Sequence, residues 1–205
     1  MNFQRYYYKL HPKQGNGITF VDVDGTLFHS KAKINVVKNG KAIHQLGNVE
    51  FRGYQLNPGE SFDFGEFADA KFFRKTSDPI KPVINRLKKI LDNIQKGSRE
   101  SRVVILTARA SFDDMDEFKR TFRDHGVDVD RLEIRTVGDK PGNAPEKKKA
   151  EVREFLKSGK YQRARMFDDT DENLTAFVEL QQEFPDVQFH AIKVLDSGKA
   201  VEVEA

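Results

Sequence analysis

Short, nearly unbroken apolar runs recur along this chain, separated by stretches whose apolar residues return every three or four positions. Runs at 18–21, 103–106, 132–137, 164–167 and 187–194 have strand length. Runs of this kind, without strict alternation, suit parallel strands covered on both faces. Between them, Val83, Ile84, Leu87, Ile90, Leu91 and Ile94 recur at helical spacing, as do Met115, Phe118 and Phe122. Two more helices are predicted, over 146–158 and around Leu174, Phe177 and Val178. Asp78 is the expected N-cap of the first helix, with Pro79 in its first turn, and Ser111 the expected cap of the second. The turn Asp196-Ser197-Gly198 leads to a last strand at 200–203. Strands alternating with helices imply an α/β fold with a largely parallel sheet and right-handed crossovers.

Residues 29–77 break this alternation. Asn39-Gly40 lies between the short runs 34–37 and 42–46, a strong hairpin signal, and the stretch 51–73 scatters Phe among Gly53, Pro58, Gly59 and Gly65. A structureless loop of this length inside a compact domain is uncommon, so a small, mostly β unit is predicted there. The expected division is a core formed by 1–28 and 78–205, with 29–77 as an insertion after the first strand.

With 38% hydrophobic and 33% charged residues in 205, the chain has the composition of a soluble globular protein. It contains no cysteine, which excludes disulfides, a thiolate nucleophile and Cys-type zinc sites. A net charge of +3 admits an anionic substrate without giving the basic stripe of a dedicated nucleic-acid binder. The N-terminus lacks the apolar core of a signal peptide and no run has transmembrane length, so a cytoplasmic protein without a membrane role is expected.

The first strand ends in Asp22-Val23-Asp24-Gly25-Thr26. Asp-Gly could be a plain turn. A calcium loop is excluded, because Thr26 and Leu27 stand where a third ligand and a glycine are needed and a strand, not a helix, precedes. The pentapeptide resembles the first motif of the haloacid dehalogenase (HAD) superfamily of phosphohydrolases. Thr107, ending the strand at 103–106, resembles the second motif, and Asp168-Asp169, ending that at 164–167, the acidic fourth. The third motif is a lysine, for which Lys147, Lys148 and Lys149 compete. Lys148 shares a helix face with Val152 and Phe155, and Lys149, on a face with Val152 and Leu156, is nearly as good; Lys148 is preferred partly because 143–148 resembles the lysine-bearing segment of related phosphatases. Polar residues at the carboxyl ends of separate parallel strands converge on one edge of the sheet, where ligands bind.

The resemblance implies a Rossmann-like three-layer sandwich with a small β-rich cap and a magnesium-dependent phosphatase working through an aspartyl-phosphate. Mg2+ would be held by Asp22, Asp24 (through its carbonyl), Asp168 and Asp169, offsetting repulsion between carboxylate and phosphate. Asp22 is the implied nucleophile and Asp24 the acid and base. Thr107 and Lys148 are the implied phosphoryl-oxygen ligands, and Arg109 could reach the phosphate or a neighbouring substrate anion by its fork, or form a surface ion pair instead. Asp171, Glu172 and Asn173 could add to the acidic loop.

The segments 104–109 and 167–173 resemble the polynucleotide 3′-phosphatase and nucleotidase branches, so the expected substrate is a nucleotide or a nucleic-acid phosphate end. Thr-Ala-Arg in place of Ser-Gly-Arg and the larger insertion depart from that pattern. Arg86, Lys88, Lys89, Arg99, Arg102 and Tyr6 to Tyr8 could supply backbone contacts and stacking. The alternatives are a small-metabolite phosphatase and an idle member of the fold whose insertion binds a partner.

Overall fold

The computed structural model describes residues 15–97 and 100–203; the Tyr6 to Tyr8 cluster and Arg99 lie outside them. A six-stranded sheet forms the centre. Its strands are β1 (Gly17–Val21), β7 (Arg102–Thr107), β8 (Glu133–Thr136), β9 (Arg163–Asp168), β10 (Gln188–Val194) and β11 (Ala200–Val203), in the spatial order β11-β10-β9-β1-β7-β8. Five strands are parallel, and β11 returns antiparallel to β10.

Alternate residues of these strands feed two cores. Val21, Val103, Ile105 and Phe167 face one side and pack with Val83, Ile84, Leu87 and Leu91 of α4 (Lys81–Lys96) and Phe118 and Phe122 of α5 (Met115–Asp124). Ile18, Phe20, Val104, Leu106, Ala164 and Met166 face the other, against Val152 and Leu156 of α6 (Ala144–Leu156) and Leu174 and Phe177 of α7 (Asp171–Glu179). Both faces are dry, which is why the strands are apolar throughout rather than alternating. Among the described residues no helix is long and apolar enough to cross a membrane.

Two helix starts differ from expectation. The first helix begins at Lys81, with Pro82 in its first turn. Asp78 and Pro79 instead form β6 (Asp78–Pro79), which pairs antiparallel with β2 (Phe28–His29), and the Ile80 N–H donates to the Leu27 carbonyl at 2.9 Å. This pairing clamps the two ends of the insertion together. The second helix is capped by Asp114, whose side chain accepts from the Glu117 N–H at 2.9 Å. Ser111 lies three residues too early, and its N–H is bound to Asp139.

Within the insertion, the Asn39-Gly40 hairpin forms as its sequence predicts, with both residues at positive φ. It joins β3 (Ile34–Lys38) to β4 (Lys41–Leu46), and β5 (Glu60–Asp63) pairs on the other side of β3. The stretch expected to hold further strands or loop also forms α1 (Asn48–Gly53), α2 (Gly65–Ala68) and α3 (Ala70–Thr76), so the insertion is mixed rather than mostly β. Each helix is too short to show a helical repeat. Their aromatic residues close small clusters: Ile34, Val36 and Leu46 pack with Phe51, Tyr54, Phe62 and Phe67. Ala70 and Phe73 join the core of α4 instead, and Arg74 binds Glu117 and Asp124 of α5, so α3 packs with the main body.

Candidate functional site

The chain runs outward from β1 through β7 to β8, then returns to the other side of β1 for β9 and β10. The order therefore reverses between β1 and β9, and loops diverging there leave a crevice at the carboxyl ends of the strands. Asp22 directly follows β1 and Asp168 ends β9. The Asp22 N–H donates to the Phe167 carbonyl at 3.0 Å, which extends the β1–β9 ladder up to the two acids.

Lys148 joins them from α6. Asn143 caps this helix, its side chain accepting from the Glu146 N–H at 3.0 Å, which fixes the register two residues before Lys148. The Lys148 Nζ donates to Asp22 Oδ1 and to Asp168 Oδ2, each at 2.7 Å. Its neighbours point elsewhere: Lys147 Nζ donates to the Gly138 carbonyl at 2.8 Å and Lys149 Nζ binds Glu179 at 2.6 Å. Of the three competing lysines, Lys148 is thus the one brought to the carboxylates.

Asp168 is fully buried and held on every side. Its carboxylate accepts from the Thr170 N–H at 2.9 Å and from Asn173 Nδ2 at 2.9 and 3.1 Å. Asn173 is a hydrogen-bond partner of Asp168 for which the sequence offered only its place in an acidic segment. Gly25, at φ 74°, brings the β1 loop against Asp169, where an added Cβ would lie 2.5 Å from the carboxylate oxygen.

Electrostatics follow from this crowding. Burial pushes the Asp22 carboxyl well above the usual aspartate range; Lys148 pulls it back in part, and Asp168, Asp24 and Asp169 push it further up. For Lys148, burial opposes the charge, yet Asp168 and Asp22 outweigh it and hold the ammonium above the ordinary lysine range. Oxygen atoms of Asp22, Asp168 and Asp169 lie within 4.8 Å of one another. These hard donors suit Mg2+. The four carboxylates of Asp22, Asp24, Asp168 and Asp169 against the two cations Lys148 and Arg109 leave a formal charge of −2, which a divalent cation offsets.

Thr107 ends β7 fully buried, and its Oγ1 accepts from the Arg109 N–H at 3.2 Å. Asp24 lies in the β1 loop, where Arg109 grips both its oxygens at 2.8 and 2.7 Å. The same guanidinium donates to Ser30 Oγ at 2.7 Å and to the Phe67 carbonyl at 2.8 Å. The ion pair expected of Arg109 is a surface one; the pair it forms with Asp24 is buried instead, with the Arg109 side chain only 1% exposed. Ser30 and Phe67 were not legible as site residues, since nothing in the insertion's sequence marks which of its groups will face the core.

No protein-family model matches this chain, and no curated protein matches it either.

Proposed function

We propose that this protein is a magnesium-dependent phosphohydrolase of the HAD superfamily, with a Rossmann-like core and a cap formed by the insertion, acting through an aspartyl-phosphate. The observation that supports this best is the buried triad in which Lys148 bridges Asp22 and Asp168 at 2.7 Å each, at the carboxyl ends of adjacent parallel strands. Asp24 and Thr107, which the same resemblance requires, stand at the same edge of the sheet.

Asp22, Asp168 and Asp169 would hold Mg2+, with the Asp24 carbonyl as a further ligand. The ion would neutralise the substrate phosphate against the carboxylates. The Asp22 carboxylate attacks phosphorus, forming the acyl-phosphate bond as the bond from phosphorus to the leaving oxygen breaks. Asp24 gives that oxygen its proton. Asp24 then takes a proton from water as the water attacks phosphorus, releasing inorganic phosphate and restoring Asp22. Lys148 and Thr107 neutralise and orient the phosphoryl oxygens, where charge is concentrated during transfer.

For substrate we propose a nucleotide or a nucleic-acid phosphate end, on the resemblance of segments 104–109 and 167–173. The experiment for the reaction is hydrolysis of p-nitrophenyl phosphate by the purified chain with and without Mg2+, together with Asp22→Asn. Activity that requires Mg2+ and disappears in the variant is expected. Activity surviving Asp22→Asn would refute the nucleophile, and a wild-type chain inactive on all phosphate esters would refute the reading as a whole.

A further inference from the structure

We propose that the cavity at the amino edge of the sheet, between β1, β9 and the C-terminal half of α4, is a second binding site, which takes a phosphomonoester of mononucleotide size by its phosphate group. The site stands apart from the proposed reaction and uses none of its residues.

The cavity has a volume of about 500 Å3, within the range of small-molecule sites. Arg163 and Arg165 line it from β9, Thr19 from β1, and Ile90, Asn93 and Ile94 from α4. The two arginines alternate with buried Ala164 and Met166, so both leave the same face of the sheet, the one that carries Phe167 farther along. Thr19 stands beside Arg165 in the register of β1 and β9. Arg165 and Arg163 precede Asp168 by three and five residues, about 10 and 17 Å along the strand. Phe167, buried on that face, lies between them and the catalytic edge, so the cavity and the carboxylate cluster are separate.

The polar side chains of the cavity all carry donors. Among the described residues no carboxylate lines it, and half-buried Arg165 makes neither a hydrogen bond nor an ion pair. Burial depresses the Arg165 guanidinium below the ordinary arginine value, Arg163 and Arg86 depress it further, and only Glu202 opposes them. That glutamate is itself engaged by His190. Arg163 donates from Nη2 to the Gly15 carbonyl at 2.9 Å, which orients it at the rim. A half-buried cation without a counter-ion is costly, and an arriving anion removes that cost.

Two guanidinium forks on one strand face suit a group with two charges and several acceptor oxygens. A phosphomonoester has both, being close to a dianion at neutral pH with three terminal oxygens, whereas a carboxylate or a backbone phosphodiester brings one charge. The Thr19 hydroxyl and the Asn93 amide add donors, and Ile90 and Ile94 supply an apolar wall for the organic part.

Amide NMR spectra of the metal-free full chain test this, at fixed ionic strength so that screening stays constant. Adenosine 5′-monophosphate is expected to give saturable shifts at the amides of 17–19 and 163–165, larger than any at 22–26 and 168–170. Arg165→Gln is expected to weaken this binding about tenfold or more, and Arg165→Lys, which keeps the charge and loses the fork, by less. Lys89→Gln, on the exposed side of α4, should leave it unchanged. Adenosine and inorganic phosphate are each expected to bind at these amides at least about tenfold more weakly than the nucleotide.

Absence of saturable shifts at 17–19 and 163–165, or equal affinity in wild type and both Arg165 variants, overturns the site. Adenosine binding as tightly as the nucleotide overturns the phosphate as anchor, and inorganic phosphate doing so overturns the ester. An oligonucleotide without terminal phosphates that binds more tightly there assigns the cavity to a nucleic-acid backbone and overturns the monoester. Should Arg165→Gln fail to fold, Arg165→Lys and the wild-type shifts decide. Because neither Mg2+ nor turnover enters, a chain inactive on every phosphate ester refutes the proposed function and leaves this site standing.

Discussion

Lys148 and Asp168 meet in the dry interior beneath the ends of β1 and β9, ammonium to carboxylate at 2.7 Å, with side chains only 2% and 0% exposed. Asp22 completes the contact from the neighbouring strand. Removing the shared cation leaves carboxylates buried without a counter-charge, which costs about 3–5 kcal/mol where it has been measured in comparable pairs. Lys148→Ala is therefore expected to lower stability by an amount of that order and to abolish turnover. Lys149→Ala removes a pair whose Glu179 partner is 54% exposed, so it is expected to cost below about 1 kcal/mol. Urea denaturation and kcat for the two lysine variants check this. A dominant effect at Lys149 would reassign the phosphoryl ligand.

The raised pKa of Asp22 has a definite consequence for the metal-free protein. A carboxyl that titrates higher in the folded than in the unfolded chain makes the native state bind more protons across the interval between the two values. Stability then falls as pH rises from the ordinary aspartate value, about 4, through the raised folded value. Burial is the largest cause, with Lys148 opposing it and Asp168, Asp24 and Asp169 adding to it. Denaturation midpoints of wild type relative to Asp22→Asn should decline with rising pH over that window. A difference that is flat or rises with pH would contradict the shift.

Adding Mg2+ should reverse the trend, because it binds the deprotonated acids. Saturation at a hundred times Kd stabilises a folded protein by about 2.7 kcal/mol. Mg2+ is therefore expected to raise Tm of the wild type at neutral pH, less so as pH falls and Asp22 retains its proton. Asp168→Asn should remove the effect, since Asp168 is a proposed ligand. Equal stabilisation of wild type and variant in calorimetric scans would place the ion elsewhere.

The arrangement of the core was legible because both faces of the sheet are covered: burial on two sides writes each strand as an apolar run, and the acids ending the runs at Val21 and Phe167 stand out against it. Lys148 was legible only in part: helical period left Lys149 nearly as good, since both share a face with buried Val152, and the resemblance of 143–148 to the lysine-bearing segment of related phosphatases tipped the choice. The first two helix starts were misplaced because Asp78-Pro79 and Ser111 have capping chemistry, while tertiary pairing with β2 and the Asp139 contact claimed them first. Ser30 and Phe67 stayed hidden because their roles rest on a hydroxyl and a carbonyl, neither of which carries a local pattern.

Gly25 and Gly40 separate strain from contact. Both have φ 74°, but a Cβ on Gly25 meets the Asp169 carboxylate at 2.5 Å, whereas one on Gly40 meets nothing within 4 Å. Either change to Ala forces a left-handed residue and should cost about 1–2 kcal/mol. Only Gly25→Ala must also displace Asp169, so Mg2+ affinity should fall by about 10–100-fold there and stay unchanged in Gly40→Ala. Titration calorimetry on the two variants decides it; equal affinities would remove Asp169 from the ion's surroundings.

A polymer substrate and a free nucleotide differ in how many phosphates they bring to the protein surface. Outside the site, Arg86, Lys88 and Lys89 lie on α4 and Arg102 starts β7, on the described part of the basic set that the sequence singles out. If an oligonucleotide end is the substrate and its backbone meets such cations, each neutralised phosphate releases counterions, and the logarithm of affinity falls with that of salt by about 0.7 per contact for a single strand. With kcat/KM limited by binding, three contacts would lower it roughly 18-fold between 50 and 200 mM salt. A mononucleotide should show a far shallower dependence on the same preparation. Parallel salt series with a 3′-phosphorylated oligonucleotide, a mononucleotide and a sugar phosphate separate the cases: a steep slope for the oligonucleotide alone is the expected result. Equal rates and equal, flat slopes for all three would remove nucleic acid from the reading and leave a general small-molecule phosphatase.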